Sequence, residues 1–315
     1  MLIMFAKGTR RSDRHSPKMN DMDNWVASVR VGDFAAAWRI SAAVLAARDP
    51  ATRDDPRLPY HLRWVWDGRR FDGRDVLVRC YHGLGDTLQF ARYLPLLAAR
   101  VATLTVEVQP ALLPLLATMG LDARFHPFDP ARPLPPAECD IDITELPFAL
   151  RVAAPTGEAY LQSPATPLAP GTIGLCYGCG DWNPSRSVPA PLFAGLCRAH
   201  EVVTLVAAAT DLPVRNPEGC PLDMAATARL VAGCAAIVTT DTMIAHLAGA
   251  LGRPTALLLK SQPDWRWTPG APTTPWYRSM RLYHQRIAGR WAEVVAAVEA
   301  ELSGRDNALF ARVEP

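Results

Sequence analysis

From residue 75 onward, short β-rich apolar runs alternate with stretches of helical spacing, and this alternation constrains the fold more than any other feature of the chain. Residues 76–80 and 104–108 read as strands, with a helical stretch over 86–100 between them. Pro95 lies inside that stretch and should kink it or split it in two. A short helix after Pro110, a proline-rich segment over 125–136 and apolar runs near Ile141 and Leu146 complete a first series. A second series has strands at 173–177, 202–206, 236–239 and 255–259, with helices near 190–200, 224–232 and 242–251. A final helix places Trp291, Val294, Val295, Val298 and Leu302 on one face. Strand and helix in turn predict parallel, doubly wound sheets, and 315 residues suit two of them. The expected class is α/β: two doubly wound Rossmann-like domains facing a cleft, with a short N-terminal helical appendage.

The domain organisation follows from breaks in this pattern. A disordered leader is expected over 1–23 and a helical pair over 24–58, the second helix carrying Phe34, Ala37, Trp38, Ser41, Val44 and Leu45 after a Gly32-Asp33 cap. One pair cannot make a solenoid, which needs about three repeats. It reads as an appendage packed on the next domain rather than a partner-binding array. The N-terminal Rossmann-like domain is set at 59–165 and the C-terminal one at 166–304, with a tail over 305–315. Pro164, Pro167 and Pro170 mark the linker between them.

Composition removes several functions. Lysine and arginine number 33 against 31 acidic residues, a net charge of +2 that gives no uncompensated basic surface for nucleic acid. The seven cysteines are odd in number and sit in apolar surroundings, as reduced cytoplasmic thiols do. Cys176 and Cys179 form a CxxC with no second pair, so no metal is expected. No apolar run reaches the roughly 18 residues of a membrane span, and residues 1–20 lack the apolar stretch of a secretory signal. Peripheral membrane contact stays open.

Two turns carry the chemistry. Gly83-Leu84-Gly85 with Glu107 about 20 residues on imitates a dinucleotide fingerprint, but position 88 is Leu and Asp86 occupies the helix start. A pyrophosphate there would meet a like charge, whereas the helix dipole stabilises a carboxylate. A nicotinamide dehydrogenase is therefore the weakest reading. Asp86 is either a general base for a hydroxyl acceptor or simply a helix N-terminal residue, and the sequence leaves both open. His82 shares the role, orients the acceptor, or is a structural hydrogen-bonder. Gly83, Gly85, Gln89 and Arg92 fall on the acceptor side or border of the cleft.

In the second series Thr239-Thr240-Asp241-Thr242 ends a strand and caps a helix whose free N–H groups can hold a diphosphate if a cation assists. Arg186, in the loop Asp181-Trp182-Asn183-Pro184-Ser185-Arg186, is the candidate cation; a surface arginine is the alternative. Trp265, Trp267 and Trp276 either stack on a base or sugar or pack loops onto the domain.

The stretch Val78-Arg79-Cys80-Tyr81-His82-Gly83-Leu84-Gly85-Asp86-Thr87-Leu88-Gln89-Phe90 resembles the glycine-aspartate motif of heptosyltransferase-like (glycosyltransferase family 9 type) enzymes, in particular the branch often fused to tetratricopeptide repeats. The run from Asp241-Thr242 through His246 to Arg253-Pro254 is similar to their nucleotide-sugar motif. Pro263-Asp264-Trp265-Arg266-Trp267 with Pro275-Trp276-Tyr277 is similar to the segment that follows it. The resemblance spans roughly residues 60–300. It implies a GT-B fold, a nucleotide-diphosphate sugar donor, a glycan or protein acceptor, and inverting transfer with neither metal nor cofactor. It further implies Asp86 as base, Arg186 as the donor-phosphate cation, and Asp241, Thr242 and His246 in the donor site; the residues themselves add His82 beside the base and Thr240 to the donor turn. The helical pair looks like a remnant of the repeats. The competing class is a non-catalytic nucleotide-sugar or protein-binding module that has kept the fold.

Overall fold

A computed structural model describes residues 19–49, 55, 57, 63, 66–180 and 183–304. The chain forms two compact units: Met1–Pro155 with Asp264–Arg266, and Thr156–Pro263 with Trp267–Pro315.

The first unit opens with helices α1 (Met19–Arg30) and α2 (Phe34–Ala46). Helix α1 starts inside the segment expected to be a disordered leader, because Trp25 and Val29 on one face find a buried environment; residues 1–18 lie outside the described residues. Asp33 caps α2, its carboxylate accepting from the Ala36 N–H at 2.8 Å. The sheet has the order β3-β2-β1-β4, all parallel, from β1 (Asp75–Arg79), β2 (Thr103–Val108), β3 (Arg124–Pro127) and β4 (Cys139–Asp142). Between β1 and β2 the helical stretch is split in two, one of the outcomes expected from Pro95: α3 (Leu84–Ala91) and α4 (Leu94–Ala98). Pro95 in the first turn of α4 has no N–H to continue α3, which is why the break falls there. Short helices α5 (Leu113–Leu116) and α6 (Leu146–Ala149) complete the unit. Strand β3 was not expected within the proline-rich segment.

The second unit holds a five-stranded parallel sheet, order β6-β5-β7-β8-β9. Its elements are β5 (Ile173–Cys176), α7 (Ala194–Ala199), β6 (Val202–Thr204), α8 (Met224–Gly233), β7 (Ala236–Thr240), α9 (Met243–Ala250), β8 (Thr255–Leu259), β9 (Met280–His284) and α10 (Trp291–Ser303). The α10 face of Trp291, Val294, Val295, Val298 and Leu302 packs into a core with Ile173, Leu175, Val238 and Leu258. The proline segment at 163–171 is no free linker: the Thr166 N–H donates to the Arg229 carbonyl of α8 at 2.9 Å, and Tyr160 and Leu161 donate to Ala250 of α9. The division between units falls before these bonds, ahead of the boundary expected at 165/166.

Apart from the edge strands β3 and β9, the strands are buried along most of their length, the pattern of parallel sheets. In such sheets functional groups gather beyond the strands' carboxyl ends, and both motif turns lie there.

Candidate active site

In the first unit the end of β1 is fixed by a buried ionic cluster. Arg79 Nε donates to Asp140 at 2.9 Å and Nη1 to Glu107 at 3.1 Å and the Tyr81 hydroxyl at 2.8 Å. Glu107, whose spacing imitated a ribose-binding acid, is fully buried in this cluster and also accepts from the Leu134 N–H at 2.7 Å. That occupation removes the dinucleotide reading.

The following turn is tied down from two sides. Gln109 donates to the His82 carbonyl at 2.6 Å and accepts from the Thr87 hydroxyl at 3.0 Å. The Asp142 carboxylate, at the end of β4, lies 2.8 Å from His82 Nε2 and accepts from the N–H and hydroxyl of Thr144 at 2.9 and 2.6 Å. Burial works to raise the Asp142 pKa, but the charge and hydrogen bond of His82, with the Thr144 bond, hold it below the usual carboxylate value.

Gly83 is the N-cap of α3, so Asp86 stands in the first helical turn, where the dipole favours its charge. Its carboxylate accepts from Arg266. Arg266 also donates to the side chain of Gln89 and to Asp264 at 2.7 Å, and its guanidinium lies 4.6 Å from the Trp265 ring centroid. Gln89 and Arg92, expected to line or border a cleft, are instead buried: Gln89 engages Arg266, and Arg92 Nε folds back onto the Gln89 carbonyl at 2.9 Å. They pack under the turn because α3 is buried from Thr87 onward.

In the second unit, β7 ends in Thr240-Asp241 and Thr242 caps α9, its hydroxyl accepting from the Ile244 N–H at 3.2 Å. Arg186, in the 3₁₀ turn Pro184–Arg186, donates from Nη1 to the Asp241 carbonyl at 2.6 Å and lies 3.8 Å from the Asp241 carboxylate. Lys260, the residue after β8, donates to the Ser185 hydroxyl at 3.3 Å and brings a second cation to this turn. Thr240 is fully buried, and its hydroxyl finds no partner among the described residues. Asp181 and Trp182 of the same loop lie outside the described residues.

His246 and the tryptophans are turned into the fold. His246 is buried in α9, its Nδ1 3.0 Å from the Tyr277 hydroxyl and its ring stacked on Trp267 at 5.8 Å. Trp267 is 0% exposed and Trp265 3%, the latter edge-on to Trp25 at 5.1 Å. Their rings are taken up by packing, the second of the two readings open in the sequence.

Asp142, Gln109 and Lys260 were missed, and Arg266 stood in a segment singled out by resemblance but was given no role. No local motif marks the first three; each reaches its turn from another element of the fold. Among the described residues no three His, Cys, Asp or Glu side chains gather as a metal site.

Two parallel-sheet α/β units with these strand-end turns define a GT-B type of protein. Residues 199–286, all but Asp264–Arg266 of them within the second unit, match the family model of glycosyltransferase family 9 (heptosyltransferase). The iron-containing dodecameric glycosyltransferase TibC from enterotoxigenic E. coli H10407 is 16% identical, with a TM-score of 0.52 over 72% of this chain and 67% of that one. A dodecameric iron-containing heptosyltransferase TibC in complex with ADP-D-beta-D-heptose gives 14% identity and the same TM-score over 72% and 67% of the two chains. ADP-heptose LPS heptosyltransferase II of E. coli is 16% identical over 75% of this chain and 98% of its own, with a TM-score of 0.49. At such identities the likeness to the two TibC structures is one of fold alone. No curated protein sequence matches the chain.

Proposed function

We propose that this protein transfers a sugar from a nucleotide-diphosphate donor to an acceptor hydroxyl of a glycan or protein, with inversion and without a metal. The observation that carries the reading is Arg186 seated on Asp241 beside the Thr242-capped start of α9, within the unit that holds the family 9 match. A guanidinium and a helix N-terminus together supply the positive charge that a departing diphosphate needs. Lys260 adds to it. The Asp241 carboxylate beside Arg186 disfavours phosphate at that oxygen, so Asp241 is assigned to the ribose side of the donor.

The acceptor step falls to the first unit. Asp86 takes the proton of the acceptor hydroxyl as its oxygen attacks the anomeric carbon and the bond to the diphosphate breaks. His82, oriented by Asp142, borders the same turn and aligns the acceptor.

The test is a thermal-shift screen of nucleotide-diphosphate sugars, in which a ligand at about 100 times its dissociation constant adds about 2.7 kcal/mol. A donor found this way should lose binding in Arg186→Ala and keep binding but lose transfer in Asp86→Asn. Normal transfer by Asp86→Asn would refute the base. Binding without turnover by the native chain on any acceptor would leave only the non-catalytic reading.

A further inference from the structure

The N-terminal helices have no part in the reaction just described, yet the fold connects them to its key carboxylate. Trp25 of α1 is 1% exposed, donates to the Ser41 hydroxyl of α2 at 3.1 Å, and meets the Trp265 ring edge-on. Helix α2 is anchored separately, Trp38 donating to the Val152 carbonyl at 2.7 Å and packing on Phe148. The faces that a repeat array would offer to a partner are therefore spent inside the unit.

Trp265 belongs to Asp264–Arg266, three residues of the chain after β8 that leave the second unit, join the first, and return. Arg30 of α1 faces Asp264, whose charge offsets part of the burial penalty on that guanidinium. Arg266 is held by Asp264, by Gln89 and by the Trp265 ring, and it also donates to Asp86.

We infer that Arg266 is a positioning residue for Asp86 and that α1, through Trp25, clamps the segment that delivers it. A carboxylate on the first turn of a helix has two free side-chain torsions. A bidentate-capable guanidinium fixed by three other contacts restricts them. Removing the support changes the orientation of the carboxylate, not the donor site of the other unit, and a misplacement of about 1 Å costs about 100-fold in rate. This assigns the helical pair a place in the reaction itself instead of in partner capture. The inference rests on Asp86 being the base, so its test needs a readout that does not.

Two measurements on the full chain separate the cases. In kinetics with a donor identified by thermal shift, Trp25→Ala and Arg266→Lys should lower kcat about 10-fold or more while donor affinity by calorimetry stays within about twofold, and Trp25→Phe should recover most of the loss. Unchanged kcat in Trp25→Ala, or parallel losses of kcat and donor affinity, would overturn the inference. In a stability cycle, Asp86→Asn should destabilise the Trp25→Ala protein less than it destabilises the native chain, because the Arg266 contact is already loosened. Additive shifts in Tm would overturn it even if no donor is ever turned over, which keeps its failure distinct from that of the proposed activity. If Trp25→Ala does not fold, Trp25→Phe and Arg266→Lys enter both measurements in its place.

Discussion

His82, in the loop just past β1, and Asp142, at the end of β4, lie 2.8 Å apart and form a hydrogen-bonded pair immediately before the turn that presents Asp86. Residue 79 of β1 is in register with Asp142, so the parallel pairing of these strands places the pair. The same sheet edge fixes Thr144 on the other oxygen of Asp142.

The pair gives stability a pH dependence of known sign. Asp142 is held below its unfolded value of about 3.9, so its contribution is complete above about pH 4 and is lost as pH falls through the lower folded value. Urea titrations between about pH 3 and 6, which span the ordinary carboxylate range, should show stability falling at the acid end. Asp142→Asn should flatten that fall and cost about 1–3 kcal/mol at neutral pH.

The Arg79 cluster is a stability element. Arg79→Met leaves Asp140 and Glu107 buried without their cation, and breaking such a pair costs about 3–5 kcal/mol. Denaturant melts of the variant should show a midpoint lowered accordingly. A change below about 0.5 kcal/mol would contradict the cluster.

Gly249 is glycine because the Tyr277 ring packs directly on it: an added Cβ would fall 2.3 Å from the ring. Gly249→Ala should therefore cost about 1–3 kcal/mol through overpacking. Tyr277→Leu in the same chain should relieve part of that cost, since the clash and the ring are then removed together. A calorimetric double-mutant cycle measures the difference.

The thiols should divide by burial. Burial pushes Cys176 and Cys197 up to about 11 and Cys234 up to about 12, and Cys80 well above the usual thiol value. Cys179 alone among the seven is partly exposed. Native-state labelling at pH 8 followed by peptide mapping should modify Cys179 first, with the six others reacting on unfolding.

Strands whose residues are buried and apolar were legible in the chain, as were the α10 face and the Asp33 and Thr242 caps, because period and capping are local properties. The edge strands β3 and β9 were not. In β3 the exposed Arg124 and the polar His126, and in β9 Arg281 and His284, break the apolar signal. The proline segment at 163–171 read as a linker because composition does not show the bond from Thr166 to Arg229.

By itself the sequence determined the α/β class, the two Gly- and Thr-bearing turns, and Asp86 and Arg186 as the charges worth following. These are set by periodicity and by residue type over a few positions. The tertiary structure alone decided what each charge meets: Arg266 on Asp86, Asp241 on Arg186, Glu107 on Arg79, Asp142 on His82. It also turned Trp265, Trp267 and His246 inward. Such partners lie up to 180 residues apart and are joined by packing of elements that no local pattern encodes.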